Sequence, residues 1–181
     1  MIGTPHRGFS MIEVLVTIVI LLIGLLGLAG LQTHALTSQM ESYQRTQGLI
    51  LAEDMAARIN DNRIDAASYV TSTPLGTSYG SCTATGAGVA GDLCDWSNAL
   101  LGAAEVSSSG QNVGAMIGAR GCVYQTGAAA SGVPAQYLVA VAWQGLNATA
   151  APAVNCGQGS YGSSDAMRRV VTLPLSIGIL N

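Results

Sequence analysis

The chain contains no lysine. Its seven positive residues are all arginine, set against ten carboxylates for a formal net charge of −3. Charged residues make up 9% of the 181 positions, far below the ~25% of an ordinary domain. Beyond residue 63 only Arg120, Arg168 and Arg169 are basic. Nucleic-acid recognition relies on clustered Lys and Arg, so this composition argues against it. Histidine is nearly as scarce: His6 and His34 stand near the N-terminus and none follows. A Ser–His or Cys–His hydrolase would therefore lack its general base in the C-terminal 147 residues. The four cysteines, Cys82, Cys94, Cys122 and Cys156, are spaced 12, 28 and 34 apart with no C-x-x-C. Zinc sites draw on close Cys or His pairs, so disulfides are the better reading and no metal or other cofactor is expected. Proline is missing between residues 6 and 73, which leaves that stretch free to form one uninterrupted helix.

Two catalytic look-alikes fail on context. Gly76-Thr77-Ser78-Tyr79-Gly80 has the G-x-S-x-G spelling, but Pro74 stands just upstream and a Gly/Thr/Ser loop follows. A nucleophile elbow needs a strand before, a helix after and a His base. Gly157-Gln158-Gly159-Ser160-Tyr161-Gly162 has the G-x-G-x-x-G spelling without a preceding strand, a following helix or an acid ~20 residues on. Asn147-Ala148-Thr149 is a formal glycosylation sequon. The chain reads as a non-enzyme.

What the chain does have is concentrated at its start. A short basic segment, Met1 to Gly8, precedes an apolar run with Glu13 near its head. The 18 residues from Val14 to Leu31 carry no charge, and only Thr17 is polar. That is about the minimum length of a membrane helix. A secretory signal is cut after its apolar region; here the plausible cut, after Gly8, lies before it and would leave the helix on the mature chain. Arg7 before the run and Glu41 after it put the N-terminus in the cytoplasm and the remainder outside. That side is oxidising and permits disulfides.

Past the membrane, apolar residues recur at Leu36, Met40, Tyr43, Ile50, Leu51, Met55 and Ile59, a helical stripe. One helix is predicted from about Ser10 to Ile59, ~50 residues and ~75 Å long, with Gly48 as a weak point costing about 1 kcal/mol relative to Ala. Residues 64–112 read as loop-rich, with Asp95 capping a short helix through Trp96 and Leu101. Strands follow at 121–125, at 136–145, which is rich in Val, Tyr and Trp, and at 168–177, with Pro174 marking an edge or an end. The expected fold class is α+β: a long N-terminal helix packed on a C-terminal antiparallel sheet. The expected organisation is a cleaved leader over 1–8, a helix over 9–62 with its transmembrane part at about 11–31, and a disulfide-bearing head over 63–181.

Gly8, Phe9, Ser10, Met11, Ile12 and Glu13 resemble, position by position, the start of the type IV pilin class of prepilins. The continuation with Gly24, Gly27 and Gly30 looks like the minor pilins of the PilV type. The resemblance implies cleavage between Gly8 and Phe9 by a prepilin peptidase, N-methylation of Phe9, and assembly through Glu13. In the family that carboxylate meets the N-terminal amine of a neighbouring subunit, and an ion pair in a low dielectric would fix the register. The three glycines fit close helix packing in the membrane or a segment that can unwind on entering a fibre. The function implied is a minor pilin that primes or caps the type IV pilus, which serves adhesion and twitching motility. Its partners would be other minor pilins, the major pilin, the inner-membrane assembly machinery, the prepilin peptidase and a tip adhesin. It would reside in the bacterial inner membrane and then in the fibre. A minor pseudopilin of type II secretion and a ligand-binding pilus-tip module are the rivals. Four cysteines admit three pairings; Cys82–Cys94 and Cys122–Cys156 is the one expected.

Overall fold

The computed structural model describes residues 8–77, 87–102, 107–109 and 116–178. The chain divides into two compact units, Met1–Met40 and Glu41–Asn181. One helix, α1, runs from Met11 to Asp61 and so belongs to both. In the first unit it stands by itself. The apolar window that qualifies as a membrane span has none of its residues buried, and Leu15, Leu21, Leu26 and Leu31 are all well exposed. Such a surface is stable only where something other than water covers it.

In the second unit α1 buries Gln44, Gly48, Ala52, Met55, Ala56 and Ile59. The expected stripe is therefore half right. Met55 and Ile59 are fully buried and Leu51 packs against the core, but Leu36, Met40, Tyr43 and Ile50 are exposed. The buried face instead uses small residues. A Cβ on Gly48 would come within 3.0 Å of Trp143 Cζ3 and 3.3 Å of Val171 Cγ2. The residue that weakens the helix locally is what lets it lie close on the sheet.

The region expected to be loop-rich holds a 3₁₀ segment, Arg63–Tyr69, and a 12-residue helix, α2, at Val89–Leu100. Asp95 is not the cap of that helix. It lies inside α2, and Gly88 stands at the N-cap position. The early start is explained by burial: Gly91, Cys94 and Trp96 face inward, a pattern that a window with few large apolar residues conceals.

Three antiparallel strands, β1 (Ile117–Gly127), β2 (Ala135–Gln144) and β3 (Arg168–Ile177), pair in the order β1-β2-β3. The fold is thus α+β, a long N-terminal helix with a three-stranded antiparallel sheet. Registers such as Val123↔Val139↔Leu173 and Cys122↔Ala140↔Thr172 set which residues share a face. Val123, Val139 and Val141 join Met55, Ile59, Tyr69, Trp96 and Leu100 in the main core. Cys122, Ala140 and Ala142 lie on the opposite face, under Cys156 and Tyr161 of the 145–167 connection. Covering both faces of β2 explains why its sequence runs almost continuously apolar. The free side of β1 is partly covered: Thr71 N–H donates to Val123 O at 3.0 Å, and Leu75 bridges Gly121. Pro174 pairs with Leu138 on β3, an edge strand, where a missing ladder donor is tolerated.

Candidate assembly site

At the head of α1 the Ser10 carbonyl accepts from Glu13 N–H at 3.0 Å and from Val14 N–H at 3.3 Å. The helix therefore begins immediately after Phe9 and Ser10, with Glu13 in its first turn. A carboxylate is favoured there by the helix dipole. Phe9 is 84% exposed, and nothing lies within 4 Å of where a Cβ on Gly8 would be. The peptide between Gly8 and Phe9 is thus accessible. The Glu13 side chain makes no hydrogen bond or ion pair among the described residues. A charge held at the start of an 18-residue uncharged segment, with no internal partner, is open to an external cation. Thr17 satisfies itself by donating to Val14 O at 2.8 Å. Gly24, Gly27 and Gly30 have no neighbours that a Cβ would meet.

In the second unit Cys122 and Cys156 form a disulfide, with Sγ–Sγ 2.08 Å and a Cα separation of 5.8 Å. It fastens the 145–167 connection to β1. Cys94 is disulfide-bonded as well; Cys82 lies outside the described residues. So do Ser78, Tyr79 and Gly80 of the G-x-S-x-G stretch and residues 1–7 of the leader.

A second fastening was not visible in the sequence. Arg168, only 2% exposed, donates to the carbonyls of Pro152 (3.0 Å), Cys156 (3.1 Å) and Val154. Its Nε lies 3.4 Å from Asp165 Oδ2. Asp165 in turn accepts from Gly159 N–H through both oxygens, at 2.9 and 3.0 Å. The G-x-G-x-x-G stretch is therefore a loop whose backbone donor is taken by the chain's own carboxylate, leaving no cradle for a phosphate. Tyr161 packs beneath this loop and donates to Gly118 O at 2.7 Å. Burial pushes its hydroxyl up to about 12.

The helical side has its own polar junction. Arg58 contacts Asp54 and Asp92 at 3.1 Å each and Asp95 at 3.6 Å. The Tyr69 hydroxyl donates to Asp92, and Asn62 donates to Tyr69 at 3.3 Å. Burial first, and Asp92 second, raise the Tyr69 hydroxyl above its usual range. These contacts join α1, the 3₁₀ segment and α2. Among the described residues no group of three or more His, Cys, Asp or Glu could hold a metal ion.

Residues 4–29 match the family model of the prokaryotic N-terminal methylation motif. The match covers Gly8, Phe9, Glu13 and most of the apolar run, and with the exposed apolar helix it supports a type IV pilin-like prepilin anchored in a membrane. No curated protein and no solved structure is similar to the chain.

Proposed function

We propose that this chain is a minor pilin of the PilV type, a subunit that helps prime or cap a type IV pilus. The observation that carries the reading is the Glu13 carboxylate, without a partner among the described residues, at the start of an exposed apolar helix, one turn from Phe9, within a matched methylation motif. Cleavage after Gly8 creates an amine on Phe9, next to the positive end of the helix dipole, where a cation is disfavoured. Glu13 of a neighbouring subunit relieves that amine as both leave water. Four residues of helix correspond to about 6 Å of rise, so an axial shift of that order aligns carboxylate and amine. Other minor pilins, the major pilin and the inner-membrane assembly machinery supply those neighbours. The N-terminus faces the cytoplasm and the head the periplasm.

Glu13→Gln keeps size and removes charge. Processing and insertion should survive, because neither needs the charge. Assembly should fail, because the partner amine would be desolvated unpaired, which costs several kcal/mol. The expected phenotype is few surface pili at normal levels of the major subunit. Mature chains beginning at Phe9, seen by mass spectrometry, check the cleavage, and Gly8 replaced by a bulky residue should block it. Normal piliation with the Gln variant still incorporated in sheared fibres would remove Glu13 from the assembly contact. Normal piliation with the variant missing from fibres would show instead that the chain is dispensable for priming or serves another machine, such as a type II secretion pseudopilus.

A further inference from the structure

Beyond the end of α1 the second unit carries an open cleft. Arg63, Ile64 and Ala67 of the 3₁₀ segment, with Ala135, Tyr137 and Ile177 of the sheet, frame a volume of about 510 Å³. Ala135 pairs with Ile177, and Tyr137 stands two residues further along β2, so the three share one face of the sheet. Small side chains leave the space free: Ala67 and Ala135 each project only a methyl group. Ile64, the largest apolar residue of the 3₁₀ segment's share, is 85% exposed and does not close it.

Two polar groups of this cleft are unmet. Tyr137 is only 3% exposed, yet its hydroxyl makes no hydrogen bond among the described residues. The described side-chain atoms sealed from solvent without a partner are Gln44 Oε1 and Arg168 Nε. The Tyr137 oxygen is not one of them, so the sliver of this residue that is exposed includes its hydroxyl, which opens on the cleft. Deeply buried tyrosine hydroxyls ordinarily find a partner, and in this head Tyr69 and Tyr161 do so, on Asp92 and on Gly118 O. The second group is Arg63. Its Nε donates to Asn60 O at 3.3 Å, and its Nη groups make no hydrogen bond or ion pair among the described residues. Asp61 and Asp65 flank it in the chain, but neither pairs with it and neither lines the cleft. The described wall thus carries one positive charge and no negative one.

We propose that this cleft binds a small organic acid, with a compact apolar body between Ile64 and Ile177 and a carboxylate that accepts from Arg63 and the Tyr137 hydroxyl. The volume lies in the range of small-molecule sites, about 300–1,000 Å³, and so does the make-up of apolar walls with few polar groups. The chemistry of the ligand follows from the two unmet groups. A guanidinium can only donate, and a tyrosine hydroxyl can donate, so the complement to both is an acceptor. Negative charge on that acceptor strengthens each bond. An amine would leave Arg63 unmet and repelled. The site is separate from Glu13 and does not depend on the pilin reading.

The test titrates 4-phenylbutyrate into the full chain in phosphatidylcholine nanodiscs, followed by ligand-detected NMR, with empty discs as the blank. Saturable binding with a Kd of about 1 mM or tighter is expected for a ligand of about a dozen heavy atoms. Arg63→Gln and Tyr137→Phe should each weaken it by about threefold to tenfold. Ala67→Trp, which fills the cleft from its exposed rim, should abolish it. Arg45→Gln, at an exposed arginine outside the cleft, should change nothing. 4-Phenylbutylamine, the same body carrying a cation, should not bind. Tyr137→Phe should also unfold at the wild-type temperature, because its hydroxyl has no bond inside the fold to lose, and this separates a ligand contact from a structural role. A signal no greater than that of empty discs overturns the proposal, as does equal binding of the amine. So does an affinity unchanged by Arg63→Gln, by Tyr137→Phe or by Ala67→Trp, or a lowered unfolding temperature for Tyr137→Phe.

Discussion

Gly121 is where the packing of the head is least forgiving. It lies on the β1 face that meets α2, and its backbone exchanges hydrogen bonds with Leu75 at 2.8 and 3.1 Å. A Cβ there would sit 2.5 Å from Leu100 Cδ1 and from Trp96 Cζ3, and closer still to Trp96 Cη2. Ordinary carbon contacts are about 3.5–4.0 Å, so the overlap exceeds 1 Å. The indole cannot slide away freely. It is fully buried, and its Nε1–H donates to Leu51 O at 2.8 Å, tying α2 to α1. Overpacking of this kind costs about 1–3 kcal/mol, and loss of the indole hydrogen bond adds about 1 kcal/mol. The lower entropy of alanine in the unfolded chain returns roughly 0.4–1 kcal/mol. Gly121→Ala should therefore destabilise by about 2–3 kcal/mol, a fall in Tm of roughly 5–12 °C for a unit of this size. Gly127→Ala in the same strand is the control, since its Cβ would meet nothing nearer than Gln136 Cβ at 3.4 Å. Tryptophan fluorescence during urea or thermal unfolding of the detergent-solubilised chain reads both. If Gly121→Ala unfolds with Gly127→Ala, within about 0.5 kcal/mol, the close α2–sheet packing argued here is wrong.

Arg168→Met should cost about 3–5 kcal/mol, because it strands the buried Asp165 carboxylate and three loop carbonyls; the same unfolding assay measures it, and a loss under 1 kcal/mol would deny the fastening. Tyr161 predicts alkaline sensitivity. Its raised pKa means the neutral form is favoured in the folded head, so the stabilisation is intact below about pH 10 and drains away as pH rises toward about 12. The full effect is about 2–3 kcal/mol. Tyr161→Phe should flatten that slope, leaving the smaller contributions of Tyr69 and Tyr124, whose hydroxyls are also raised by burial; an unchanged slope would refute the assignment. Non-reducing peptide maps should contain Cys82–Cys94 and Cys122–Cys156 peptides, and a Cys94–Cys122 peptide would overturn that pairing.

How much of this was legible in the sequence depends on whether the signal is local. The apolar run and Glu13 are written in consecutive residues, so the start of α1 and its charge could be read directly. The strands were also legible, because Val, Tyr and Trp cluster in β2 and Val and Leu recur in β3, which begins and ends where expected, at Arg168 and Ile177. Signals that depend on a distant partner were not legible. Gly48 read as a flaw because its benefit lies in Trp143, 95 positions away. Gly121 looked like one glycine among 23, and only the approach of Trp96 makes it obligatory. Arg168 read only as the first residue of a strand, yet it is buried and organises the loop that carries Cys156 and Tyr161. In a chain with so few charges, a buried arginine bonded to backbone carbonyls does what a larger apolar core would otherwise do. It fixes a loop rich in Gly and Ser that has few side chains of its own to pack. The low charge content and the polar fastenings therefore have one cause: a small head whose second sheet face is closed by backbone, one disulfide and one arginine.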